Sequence, residues 1–116
     1  MPHFLLLYEL APDYLDRRSH FRDRHLAHAW EAADRGALLL AGAVGDPVES
    51  ALLLFSAADA ASAFAGADPY VREGLVRSWR VVPWATVAGS DAAAPLRPVD
   101  AADASAPARD SSAGRS

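Results

Sequence analysis

Arg22 and His25, set three residues apart in a stretch with helical periodicity, are the first residues in this chain whose types and spacing could do chemistry. Imidazole titrates near neutrality and can take and return a proton, and a guanidinium can hold an anionic group in a fixed fork. On a helical wheel, Leu15, Leu26, Ala29, Trp30 and Ala33 fall on one side, and Arg17, His20, Arg24, His28, Glu31, Asp34 and Arg35 on the other. Arg22 breaks this division by falling inside the apolar sector, and His25 lies at its border. A guanidinium buried there needs a carboxylate, a carbonyl or a bound anion. The plainer alternative is an arginine that extends to the surface beside a packing histidine. Asp68, between the second helix and the last strand, is the acid of interest, with Pro69 and Tyr70 fixing its backbone; on its own, Ala67-Asp68-Pro69-Tyr70 is an ordinary turn. Tyr8, Trp30 and Tyr70 are rings that could wall a site or fill a core equally well.

Other chemistries find no support. The wheel spreads His20, His25 and His28 too widely to share a metal, and no carboxylate completes a ligand set, so no metal is expected. The chain has no cysteine, which removes disulfides, thiolate metal sites and thiol nucleophiles. No phosphate-cradling glycine loop, nucleophile elbow or zincin motif occurs, and no cofactor is expected. With 11 basic against 15 acidic residues, a formal charge of −4 and no basic block, nucleic acid is not an expected partner. The apolar run that opens the chain is too short to cross a membrane and lacks the basic start of a secretory signal. A soluble, cytoplasmic protein with no membrane partner is the expectation.

The elements that must position these residues lie in the first three quarters of the 116 residues, where all ten aromatic side chains are found. From 90 to 116, 24 of 27 residues are Ala, Ser, Asp, Pro or Arg, a composition that buries too little apolar area to offset backbone ordering. One domain over 1–89 and a disordered tail over 90–116 are therefore predicted. Strands are expected at His3–Glu9, Ala37–Ala43, Ala51–Phe55 and Leu75–Val87, the last with Pro83 at a bend or edge. Helices are expected at Arg17–Arg35, stopped by Gly36, and from a Ser56 cap with Asp59 as its acidic partner to about Gly66. Asp68 and Pro69 then open a turn or helical stub.

The order β-α-β-β-α-β predicts an α+β fold of the ferredoxin-like type, with two helices on one face of a four-stranded antiparallel sheet. Its other face would be open, yet Phe4-Leu5-Leu6-Leu7, Leu38-Leu39-Leu40-Ala41 and Leu52-Leu53-Leu54-Phe55 are apolar on both parities. A second copy packed on that face, giving a barrel-like homodimer, is the simplest cover.

Four pieces in order, Arg22-x-x-His25-Leu26, Gly36-x-Leu38-Leu39-x-Ala41-Gly42, Ala67-Asp68-Pro69-Tyr70 and Val81-Val82-Pro83-Trp84, resemble the YCII-related (YciI-like) family over residues 3–84. The chain departs from that pattern at Ala43, where proline is common, in a short connection between the second and third strands, and in its tail. The resemblance implies a dimeric α/β-barrel and a cleft in which His25 and Asp68 form an acid/base pair. It also implies lyase-type chemistry, dehydrochlorination of a chlorinated hydroxyquinol being the family activity best supported, and a fold shared with muconolactone isomerases and antibiotic-biosynthesis monooxygenases. With such a pair, Arg22 would hold an anionic group and Tyr8, Trp30 and Tyr70 would wall a ring. A small enolic or quinol-like acid would undergo proton abstraction followed by isomerisation or elimination. The alternative is a non-catalytic ligand-binding or regulatory homodimer whose pair is a structural hydrogen bond.

Overall fold

The structure is a computed structural model and describes residues 1–99. Its elements run β1 (His3–Leu10), α1 (Tyr14–Asp34), β2 (Leu38–Val44), β3 (Ser50–Phe55), α2 (Ala58–Ala67), α3 (Pro69–Arg72) and β4 (Val76–Trp84). The strands form one antiparallel sheet in the order β2-β3-β1-β4, the ferredoxin-like arrangement. His3–Trp84 is one compact unit; of the other described residues, Met1 and Pro2 group with 85–99 in another. In that second unit the Ala94 N–H donates to the Thr86 carbonyl and the Leu96 N–H to that of Val87. Of the tail expected to be disordered, residues 100–116 lie outside the described residues.

Register sorts the apolar strands onto two faces. Leu6 stands between Leu53 and Val81, and Tyr8 between Ala51 and Trp79; Leu6, Tyr8, Leu53 and Phe55 are buried beneath the helices. Leu5 pairs with Leu54 and Leu7 with Leu52 on the opposite face, where Leu40 of β2 joins them. Leu40 is 72% exposed and Leu52 38%, so both parities are apolar and only one is covered. Pro83 lies in β4, an edge strand, the position in a sheet where proline is best tolerated.

Gly36 ends α1 as the sequence predicts. At φ +82° it lets the Ala37 N–H reach the Ala32 carbonyl and its own N–H reach that of Ala33, a Schellman closure that satisfies the terminal carbonyls and turns the chain into β2. Gly45, at φ +95°, turns β2 into β3, and a Cβ there would lie 2.9 Å from the Pro47 carbonyl oxygen.

Two expectations need correction. Ser56 does not cap α2: its Oγ donates to the carbonyls of Gly36 and Ala37, tying β3 to the α1–β2 turn, while Ala57 precedes the helix with no side-chain cap. The buried side of α1 is also rotated from the hydropathy wheel. Tyr14, Ala29 and Ala32 are buried, whereas Leu15, Leu26 and Trp30 are exposed. His28, assigned to the polar side, stacks on Phe64 at 4.2 Å, with its Nε2 3.0 Å from the Phe64 carbonyl oxygen. Histidines that find partners pack inward, and a scale that counts them as polar misplaces the seam. No helix among the described residues is long and apolar enough to cross a membrane.

Candidate active site

Asp68 ends α2 and opens α3. Its extended backbone, with Pro69 at the first helical position, aims the carboxylate back so that Oδ1 accepts from the Tyr70 N–H at 3.0 Å. The same carboxylate is 0% exposed and takes two further bonds from distant elements. The Tyr8 hydroxyl of β1 donates to Oδ2 at 2.5 Å, and Nδ1 of His25 on α1 lies 2.8 Å from Oδ1. A buried carboxylate is tolerable because donors surround it. As the acceptor of all three, Asp68 fixes the hydrogen of His25 on Nδ1 and leaves Nε2 as the ring's acceptor.

Rings hold that imidazole in place. His25 stacks on Tyr70 with centroids 3.9 Å apart and planes 5° from parallel, and Phe64 meets it edge-on at 6.5 Å. Tyr14 in turn meets Tyr70 edge-on at 5.7 Å. Burial, then the charge of Asp68 and its hydrogen bond, push the Tyr8 phenol well above its ordinary range, so Tyr8 stays a donor. The Tyr70 phenol is pushed up to about 12, first by burial and then by Tyr14 and Asp68, against the opposing charges of Arg22 and Arg18.

A cavity of about 330 Å³ opens between α1 and the helix-covered face of the sheet. Tyr8, Arg22, His25, Trp30 and Tyr70, all singled out from the sequence, border it, and Asp68 sits behind His25 rather than on the wall. The geometry changes the reading of three of them. Arg22 is exposed at the rim, not buried, so the desolvation argument for it does not apply. Tyr8 contributes its ring to the wall, but its hydroxyl is committed to Asp68. Trp30 is 66% exposed and flanks the opening. Arg18, one turn before Arg22 and on the same wall, was missed, although the i, i+4 spacing marks it. Among the described residues no group of three or more His, Cys, Asp or Glu could hold a metal ion.

Fold and site together define a ferredoxin-like α+β domain whose helix-to-sheet cavity is backed by a buried carboxylate–imidazole pair. The chain belongs to the YCII-related domain family, whose model matches residues 1–85. Among solved structures it is similar to 5-chloro-2-hydroxyhydroquinone dehydrochlorinase (TftG) from Burkholderia phenoliruptrix AC1100, in complex with 2,5-dihydroxybenzoquinone. The two share 20% identity over 72% of this chain and 94% of that one, with a TM-score of 0.59, a likeness of fold. No curated protein matches the chain at a significant level.

Proposed function

We propose that the chain is an acid/base enzyme of the lyase or isomerase type, acting on a small enolic or aromatic-derived acid. His25 is the proton carrier: Nε2 takes a proton from a substrate carbon or hydroxyl, and the electron pair left behind moves into the conjugated ring system. A proton returned at another position completes an isomerisation, and loss of an anion completes an elimination. Asp68 keeps the ring in the Nδ1–H tautomer and stabilises the imidazolium that forms. Arg22 holds an anionic group of the substrate, and the rings of Tyr8, Tyr70 and Trp30 wall it. The observation that carries this reading is a buried, triply bonded carboxylate orienting a histidine on the wall of a 330 Å³ cavity. The dehydrochlorinase of similar fold, solved with a dihydroxybenzoquinone, supports the substrate class.

The test is solvent deuterium exchange into the ring C–H positions of 2,5-dihydroxybenzoquinone, followed by proton NMR. Exchange needs only delivery of a deuteron to an enolic carbon and removal of the proton, with no net bond change. Wild-type protein should accelerate it, and His25→Ala should lower the rate by about 10² to 10⁴. Exchange no faster than in buffer would contradict the reading.

A second reading, a ligand-binding or regulatory protein with a structural pair, is favoured by one observation: Asp68 also caps α3 and anchors β1. On that reading His25→Ala costs roughly 1–3 kcal/mol of stability and changes no rate.

We also propose that the working form is a homodimer through the open sheet face. The supporting feature is its apolar surface, with Leu5, Leu7, Leu40, Leu52 and Leu54 on one side of the sheet and no helix of the described residues over them. Light scattering at micromolar concentration should give twice the chain mass; a well-folded monomer there would refute it.

A further inference from the structure

The charges on the cavity wall all have one sign. Arg18 and Arg22 border it, and among the described residues no Asp or Glu does. Arg17, Arg35 and Arg77 are paired with Asp13, Glu31 and Glu9, whereas neither cavity arginine has an ion-pair partner among the described residues. A shelf of rings fixes where Arg18 stands relative to His25. Its guanidinium lies 5.8 Å from the Tyr14 ring centroid, Tyr14 meets Tyr70 edge-on, and Tyr70 carries the imidazole on its face. Helical rise sets Arg22 roughly 4.5 Å and Arg18 roughly 10.5 Å along α1 from His25, distances that a single substituted ring and two flexible side chains can bridge. The positive charges of Arg22 and Arg18 also oppose the upward push of burial on the Tyr70 phenol, a third residue of the same cavity wall.

We propose that Arg18 and Arg22 together clamp a carboxylate on the ligand ring, so that the cavity selects aromatic or enolic carboxylates over neutral quinols of the same size. Arg18 is then a specificity-determining residue. The proposal rests on the acid/base reading above only in treating the ligand as a substrate. Two forks converging on one carboxylate give directed, charge-assisted hydrogen bonds, while the apolar wall from Leu26, Leu38 and Leu53 takes the ring body. Among the described residues no carboxylate on the wall competes with the ligand for either arginine.

Calorimetric titration of the full chain with 2,5-dihydroxybenzoate and with hydroquinone, a neutral ring of similar size, tests the clamp. The carboxylate should bind about tenfold tighter or more, and added salt should narrow the gap because the rim is open to solvent. Arg18→Gln and Arg22→Gln should each remove about tenfold of the affinity for 2,5-dihydroxybenzoate and leave hydroquinone unchanged, with Arg18→Lys in between. Equal affinity for the two probes, binding of neither, or an Arg18→Gln variant that keeps the full preference would overturn the proposal. A thermal melt of each variant separates loss of binding from loss of fold. The two proposals fail separately: a carboxylate preference in wild-type protein that shows no deuterium exchange refutes only the acid/base reading. Exchange without the preference refutes only the clamp.

Discussion

Behind His25 the polar atoms are matched, and along the cavity rim they are not. Asp68 takes three donors from three elements and is wholly buried, whereas Arg18 and Arg22 border the same cavity with no ion-pair partner among the described residues. The first arrangement forms as the chain folds and holds the imidazole before any ligand arrives. The second leaves charge to be satisfied by whatever enters. If matched groups serve the scaffold and unmatched ones the proposed binding, substitutions in the two regions should separate stability from affinity.

The largest expected effect comes from the matched side. Asp68→Ala strands the Tyr8 hydroxyl, His25 Nδ1 and the Tyr70 N–H at once, and removes the cap of α3. Urea denaturation should show a loss of about 3–5 kcal/mol. A loss below about 1 kcal/mol would mean that water replaces the carboxylate and that the region is not the rigid support described. Tyr8→Phe removes one donor and should cost about 1–3 kcal/mol, since one carboxylate oxygen is left buried without a partner. On the unmatched side, Arg18→Gln and Arg22→Gln should each stay within about 0.5 kcal/mol of wild type in the same assay, because Arg22 is exposed, Arg18 only half-buried, and neither has an ion-pair partner among the described residues to lose.

A separate effect, in pH rather than in sequence, is alkaline. Folding favours the protonated forms of Tyr8 and Tyr70, so their contribution is present below the ordinary tyrosine value of 10 and is lost as pH rises toward the folded value of about 12 for Tyr70. The unfolding midpoint should therefore fall between pH 10 and 12. Phenolate absorbance from these two rings should appear together with unfolding. Early, reversible ionisation of both rings in the folded protein would show that the cavity wall is wetter than its burial indicates.

How much of this was legible in the sequence differs between fold and site. The element order, the Gly36 stop and the Asp68-Pro69 helix start follow from local patterns, because turn and cap chemistry acts within a few residues. The Ser56 cap failed because its hydroxyl found carbonyls on the α1–β2 turn, a long-range alternative that no local window contains. The wheel failed at Leu15, Leu26 and Trp30 because His25 and His28 pack inward once Asp68 and the Phe64 carbonyl satisfy them. Motif order suggested Asp68 as the partner of His25. The third member, Tyr8, stands 60 residues from Asp68 and reaches it only through the sheet, so spacing could not reveal it. Arg18 was within reach of the wheel, one turn from Arg22, and was lost in a run of polar residues.

The proposed chemistry turns on one atom-level feature of His25: its Nδ1 hydrogen is tied to Asp68, which leaves Nε2 as the nitrogen to meet a ligand. Nitrogen-15 NMR of histidine-labelled protein, at a pH where the ring is neutral, observes both nitrogens directly. The account predicts an N–H resonance at Nδ1 that disappears in Asp68→Ala. It also predicts an unprotonated Nε2 whose shift moves when 2,5-dihydroxybenzoquinone is added. An Nε2–H tautomer, or an Nε2 signal indifferent to that ligand at saturating concentration, would contradict it.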